Sequence, residues 1–255
     1  MSNPFLQIRN LSVDFKGFQV IDDIDLDVAE GELRVIIGPN GAGKTTLMDL
    51  ITGKTKPTAG KIKLGGHDIT KKDPAVISAK YKVGRKFQGP NVFDNMTVYD
   101  NILMSVSGHS SVWRTLTFRK TGEIEDHVRE ILGFINLENE AEILAVNLSH
   151  GQRQWLEIGM VIAQDPKLII LDEPTAGMTA SETYKTGELI LRLAETGKHT
   201  MLVIEHDMDF VKQIAQKVTV LCQGKFLAEG TYDEIEKNPD VIRVYLNDVG
   251  EEEGA

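Results

Sequence analysis

Gly38-Pro39-Asn40-Gly41-Ala42-Gly43-Lys44-Thr45 is the segment of this sequence best equipped for chemistry. It fits the pattern G-x-x-x-x-G-K-[ST] at every position, and each residue type in it has a physical task. Glycines let backbone N–H groups turn inward around phosphate oxygens, and a helix that starts immediately afterwards adds its positive end. Lys44 would neutralise β- and γ-phosphates, and the Thr45 hydroxyl would serve a magnesium ion. A Gly-rich turn that merely opens a helix explains the glycines but not the Lys-Thr pair behind them. An acidic counterpart lies in Lys167-Leu168-Ile169-Ile170-Leu171-Asp172-Glu173. Asp172 ends an apolar run where it can hold the magnesium shell, and Glu173 can accept a hydrogen bond from an attacking water. The chemistry these residues suit is phosphoryl transfer to water.

Such residues must be held by elements, and the hydrophobic pattern supplies them. A strand over residues 32–37 leads into the glycine loop, and residues 44–51 read as a helix that stops at Gly53. Further short β-branched runs at 167–171, 200–204 and 217–222 alternate with helical patterns. That alternation predicts an α/β fold with a mainly parallel sheet and helices on its faces. The amino-terminal runs 6–15, 21–28 and 61–64 lie between turn residues and predict an antiparallel β layer. From about Gly89 to Ala163 strand signals give way to helices, an inserted helical lobe. The expected division is a discontinuous core, 1–88 with 164–255, and a helical lobe, 89–163. Trp155, Ile158 and Ile162 share a helix face and read as core packing.

Composition excludes other classes. With 255 residues, 41% of them hydrophobic, the chain can bury a core and is neither a disordered tail nor a disulfide-stapled module. Its single cysteine, Cys222, sits in an apolar run and reads as a small buried hydrophobe. The net charge of −10 opposes a free duplex-DNA binder, which needs surplus Lys and Arg. Residues 54–86 nonetheless hold ten Lys or Arg against two Asp, read here as a solvated face of the β layer. Residues 113–120 combine aromatic and basic side chains, suiting either a surface loop or contact with membrane-embedded partners or headgroups. No apolar run approaches the ~20 residues a membrane helix needs. The first residues also lack a secretory pattern. A soluble cytoplasmic chain is expected.

Leu148-Ser149-His150-Gly151-Gln152 narrows the class. Ser149 suits a helix N-cap, and that helix should run to Gln164, before Asp165-Pro166. The segment resembles the signature of the ATP-binding-cassette (ABC) family, Leu-Ser-Gly-Gly-Gln, and further family motifs occur in order along nearly the whole chain. Gln88 matches the glutamine of the loop joining core and helical lobe, and His206 the switch histidine. Phe15 matches the aromatic residue that stacks on adenine, although Phe18 rivals it and either could close the β-layer core.

The resemblance implies a P-loop ATPase that uses ATP and Mg²⁺. Glu173, His206, Gln88 and Lys44 would act in catalysis, and Thr45, Gln88 and Asp172 on the metal. Phe15, the loop from Gly38 to Thr46, and Ser149, Gly151 and Gln152 would bind nucleotide, the last three on a partner subunit's γ-phosphate. Two departures stand out. His150 replaces a glycine, either by simple tolerance or to place a charged imidazole beside the phosphate. Thr179, at the end of Ala176-Gly177-Met178-Thr179, replaces an aspartate, which removes a charged contact across the dimer. The resemblance extends to uptake systems for urea and short-chain amides, with branched-chain amino acids as the alternative cargo. A non-transport cassette ATPase acting on nucleic acid or ribosomes is the alternative of another class. Expected partners are separate transmembrane permeases, a second ATPase subunit (identical or paralogous) and, indirectly, an extracytoplasmic solute-binding protein. The ATPase would then sit peripherally on the inner face of the membrane, and no nucleic-acid partner is expected.

Overall fold

The computed structural model describes residues 4–86, 92–107 and 122–252. Its amino-terminal sheet starts with a hairpin of β1 (Leu6–Phe15) and β2 (Phe18–Val28). Lys16 and Gly17 between them both have positive φ, 55° and 91°, the geometry that lets a two-residue turn match strand twist. β4 (Ala59–Leu64) pairs antiparallel with the other edge of β1, and the short β5 (His67–Asp68) completes the layer. The antiparallel layer is therefore present as expected.

The second sheet has six strands among the described residues. β3 (Leu33–Ile37) lies between β9 (Lys217–Cys222) and β8 (Thr200–Ile204), followed outward by β7 (Leu168–Asp172) and β6 (Val83–Lys86). These five strands run parallel, and β10 (Lys225–Gly230) closes the β9 edge antiparallel. The central strands are buried on both faces and alternate between two clusters. Leu33, Val35, Ile37, Ile169, Leu171, Met201 and Val203 face the helices. Ile36, Leu168, Ile170, Leu202 and Ile204 face the antiparallel layer and α1 (Lys44–Ile51). Burial on both sides explains the unbroken apolar runs in the sequence.

α2 (Pro74–Tyr81) precedes β6, and among the described residues α3 (Val98–Ser107), α4 (Gly122–Phe134) and α5 (His150–Ile162) follow. Ile102, Ile131, Ile135 and Ile158 join these helices to the cluster that also covers the main sheet. Trp155 and Ile158 are buried and Ile162 packs against the same cluster, as the helix face predicted. α5 ends two residues short of the expected Gln164. α6 (Ala180–Glu195) and α7 (Met208–Ile214) flank β8 in sequence, and α8 (Tyr232–Glu236) and α9 (Pro239–Glu252) follow β10.

Three expectations need correction. Arg85 and Lys86 end the basic run but are not solvated; each side chain is only 4% exposed. Both lie on β6, a strand that the polar sequence Gly84-Arg85-Lys86 conceals. Phe15 and Phe18 face each other across the hairpin, and both are exposed, so neither closes the layer's core. Cys222 is half-buried at the end of β9 rather than fully buried. No helix among the described residues is long and apolar enough to cross a membrane. Residues 113–120 lie outside the described residues.

Candidate nucleotide site

The parallel strands end at one edge. Ile36 on β3 and Asp172 on β7 are both in register with Ile204 on β8. Ile37, Glu173 and Glu205 are therefore level at the end of the sheet, with Gly38 one residue beyond. This is the edge of a parallel α/β sheet where ligands bind.

The glycine loop is tightly built. A Cβ on Gly38 would lie 2.0 Å from the Leu221 carbonyl oxygen, so the chain passes β9 too closely for any side chain. Gly43 caps α1 with φ 104° and offers no side-chain cap. The first N–H groups of α1 thus lack a side-chain acceptor, as an anion-binding helix start requires. Lys44 Nζ donates to the Gly38 and Pro39 carbonyls at 2.6 and 2.9 Å, which places its charge inside the loop. The β9–β10 turn braces the loop through Gly224 N–H to the Ala42 carbonyl at 3.0 Å. Asn40, Gly41 and Thr45 are exposed and Thr46 is half-buried.

At β7 the Asp172 carboxylate is 2% exposed. One oxygen accepts from Arg85 Nη2 at 3.1 Å, and Arg85 Nη1 donates to Asp49 at 2.5 Å. Asp172 Oδ1 is buried and has no hydrogen-bond partner among the described residues. Burial raises the Asp172 pKa, with Arg85 opposing. A buried anionic oxygen without a donor fits a hard divalent cation such as Mg²⁺, and the exposed Thr45 hydroxyl is a second oxygen ligand of the right kind. Such an ion, when bound, would neutralise phosphate charge.

Glu173 follows in the left-handed region, φ 47°, unusual for a residue with a side chain. Its N–H donates to the Ile204 carbonyl at 3.0 Å, and its Oε1 lies 3.7 Å from His206 Nδ1. The structure brings these two predicted residues together at the exposed lip of the edge. Beneath them is Glu205, fully buried, which sequence reasoning did not assign a role. It accepts from Thr175 Oγ1 at 2.7 Å, Thr175 N–H at 3.2 Å and His206 N–H at 3.2 Å. Burial nevertheless raises its pKa. The run Ile204-Glu205-His206 held the available signal: an acid at the end of an apolar strand, next to a candidate site residue.

Ser149, Gly151 and Gln152 gather at the start of α5. Ser149 is the N-cap, and it exchanges hydrogen bonds with Gln152 in a capping box, as its residue type predicted. Gln152 also donates to Glu140 at 3.1 Å, and Ser149 Oγ to Glu182 at 3.4 Å. The His150 ring turns to the Ala176 carbonyl of its own chain, at 2.8 Å. Thr179 caps α6. Gln88 lies outside the described residues.

A sequence family described as ABC transporter matches residues 21–176. The chain belongs to that family. Residues 227–246, from β10 into α9, match a second family, described as branched-chain amino acid ATP-binding cassette transporter. The chain is 36% identical over 255 residues to the high-affinity branched-chain amino acid transport ATP-binding protein BraF of Pseudomonas aeruginosa, covering 97% of this chain and 100% of BraF. It is 38% identical to LivG of Salmonella typhimurium, a protein of the same description, with the same coverage. A probable LivG of Archaeoglobus fulgidus is 34% identical, covering 94% of this chain and 95% of that one. Among solved structures, the ADP conformation of an ATP-binding cassette of an ABC transporter superimposes with a TM-score of 0.84 at 31% identity, covering 96% of this chain and 99% of that one. A nucleotide-free cassette gives 0.82 at 31% identity, covering 95% and 98%.

This ABC ATPase therefore has the fold its motifs implied and the ATPase activity that its family couples to transport. Within it, Arg85 and Asp49 are, besides Glu205, contributors that sequence reasoning missed. They come from β6 and α1, far apart in sequence, and meet only because β6 pairs beside β7.

Proposed function

We propose that this chain is the ATP-hydrolysing subunit of an importer for branched-chain amino acids, acting with separate membrane-spanning permeases. The similarity of 36–38% along 97% of the chain to BraF and LivG carries this reading. The match of residues 227–246 to the branched-chain family supports it. Those relatives favour branched-chain amino acids over the urea or short-chain amide cargo to which the sequence resemblance extends.

In this reading ATP binds with its phosphates in the loop from Gly38 to Thr46 and its adenine against Phe15. Lys44 neutralises phosphate charge, while Asp172, Thr45 and Gln88 hold Mg²⁺. Glu173 accepts the proton of the attacking water, and His206, 3.7 Å from it, contacts the γ-phosphate side. Ser149, Gly151 and Gln152 face the nucleotide of a second ATPase subunit, identical or paralogous, so closure completes each site. The ATPase sits peripherally on the inner membrane face, and a solute-binding protein delivers cargo from outside.

Reconstitution with candidate permeases in liposomes tests the cargo. Leucine with its binding protein should stimulate ATP hydrolysis. Stimulation by urea with its own binding protein, and none by leucine, would replace the amino-acid reading. Co-purification with RNA or ribosomes in place of permeases would overturn transport altogether.

A further inference from the structure

The two departures from the family pattern, His150 and Thr179, belong to adjoining contacts. His150 Nε2 lies 2.8 Å from the Ala176 carbonyl. A carbonyl only accepts, so Nε2 carries the proton and donates. A Cβ on Gly177 would lie 3.2 Å from the same nitrogen, and Gly177 has φ 73°, so the loop fits against the ring because it is bare there. Five residues on from Gly177, the Glu182 carboxylate spans two helix starts. It accepts from Thr179 N–H at 3.0 Å and Thr179 Oγ1 at 2.8 Å, and on its other oxygen from Ser149 Oγ at 3.4 Å. Further along the same helices, buried Trp155 Nε1 donates to Thr186 Oγ1 at 2.8 Å. Three contacts thus join α5 to the 176–179 loop and α6.

The residue chemistry makes the departures complementary. Glycine at 150 cannot reach Ala176. An ionised aspartate side chain at 179 has no proton to give Glu182, leaving only the backbone N–H, and would place a second carboxylate beside it. Histidine and threonine supply the two donors that these acceptors need.

We propose that His150 and Thr179 are positioning residues of one latch within the subunit, which ties the 176–179 loop to the amino terminus of α5. The two elements then meet a partner subunit's nucleotide as one preformed unit, and closure orders less chain. His150 acts through the loop, not on phosphate. The consequence for closure rests on the ATPase reading above; the latch itself does not.

Two measurements on the full chain test it. In the nucleotide-free protein, amide hydrogen exchange at residues 177–179 should be about three- to tenfold faster in His150→Gly, the effect of losing one hydrogen bond of ordinary net strength. His150→Gln, whose amide nitrogen can stand in for Nε2, should restore most of the protection. In a Glu173→Gln background, His150→Gly should raise the ATP concentration for half-maximal dimer closure by a similar factor, while the melting temperature of the nucleotide-free chain falls by only about 2–5 °C. Thr179→Asp should act in the same direction, and the double variant should do little more than either alone. Unchanged exchange in His150→Gly, no rescue by His150→Gln, or fully additive effects would overturn the latch. Protected exchange that responds as expected, in a chain that never closes with ATP, would leave the latch standing and overturn the closure reading instead.

Discussion

Glu173 offers a way to separate what a backbone conformation costs from what a side chain does. At φ 47° it occupies a region that disfavours an L side chain by roughly 1–2 kcal/mol. The conformation is held from both sides. Glu173 N–H donates to the Ile204 carbonyl at 3.0 Å, and its own carbonyl accepts from Ala176 N–H at 3.3 Å. Glu173→Gly removes the strain but restores about 0.4–1 kcal/mol of unfolded-state freedom. The net effect is a stabilisation of roughly 0–1.5 kcal/mol, or about 0–6 °C in Tm for a chain of this size. Activity should move the other way. Without a proton acceptor, turnover should fall about 10²- to 10⁴-fold, a barrier increase of about 3–5 kcal/mol. Glu173→Gln keeps the shape and the strain, so it should lose turnover without gaining stability, and it should still bind ATP and trap a closed dimer. Scanning calorimetry, equilibrium ATP binding and single-turnover hydrolysis read the three quantities separately. The reasoning fails if Glu173→Gly melts several degrees below wild type, or if Glu173→Gln hydrolyses ATP at the wild-type rate.

Other expectations follow from single contacts. Gly38→Ala places a Cβ 2.0 Å from the Leu221 carbonyl oxygen, so loop or strand must move by about an ångström; turnover should drop by about 10²-fold, and ATP hydrolysis at wild-type rates would refute the close approach. Lys86 and Glu157 are a buried pair 3.8 Å apart, and Lys86→Met leaves a carboxylate buried without its cation. That single change should cost about 3–5 kcal/mol in denaturant unfolding, with much of the loss recovered in Lys86→Met/Glu157→Met. Burial raises the Glu205 pKa above 4.5, so the native state holds that proton more tightly than the unfolded chain does. Its contribution to stability therefore falls as pH rises from 4.5 through the raised native value, and Glu205→Gln should flatten that part of the stability profile. An unchanged slope in the variant would remove Glu205 as its source.

Legibility in the sequence followed the range of the forces involved. The glycine loop, the helix over 44–51, the Ser149 cap and the strands 200–204 and 217–222 depend on local pattern, and the structure has them where they were expected. β6 was missed because Val83-Gly84-Arg85-Lys86 has no apolar run. It is buried because Asp49, Asp172 and Glu157 neutralise its two cations, and those partners come from three other elements. The same limit hid the contact of His150 with Ala176, 26 residues away in sequence. The second strand was expected from Ile21, but it starts at Phe18 after a two-residue turn, and which way Phe15 faces was not readable, since alternation alone does not say which side of a layer meets a core.

Satisfied and unsatisfied charge divides this molecule into scaffold and site. Arg34 is fully buried on β3, yet it donates to Glu32, Glu229, Thr219 and the Asp27 carbonyl, so its charge is answered on several sides. It ties the centre of the main sheet to β9, β10 and the end of β2. At the opposite end of the same sheet, one guanidinium, Arg85, serves two carboxylates. Asp172 keeps an oxygen with no donor among the described residues, and the next residue holds a disfavoured backbone angle. Both features cost stability, whereas the Arg34 cluster shows that this fold can complete a buried charge. At Asp172 and Glu173 the two departures fall on consecutive residues, at the edge where nucleotide phosphates and their cation would supply the missing partners. The incompleteness of the Asp172–Glu173 edge thus fits the proposed cation and nucleotide site on grounds other than the motifs.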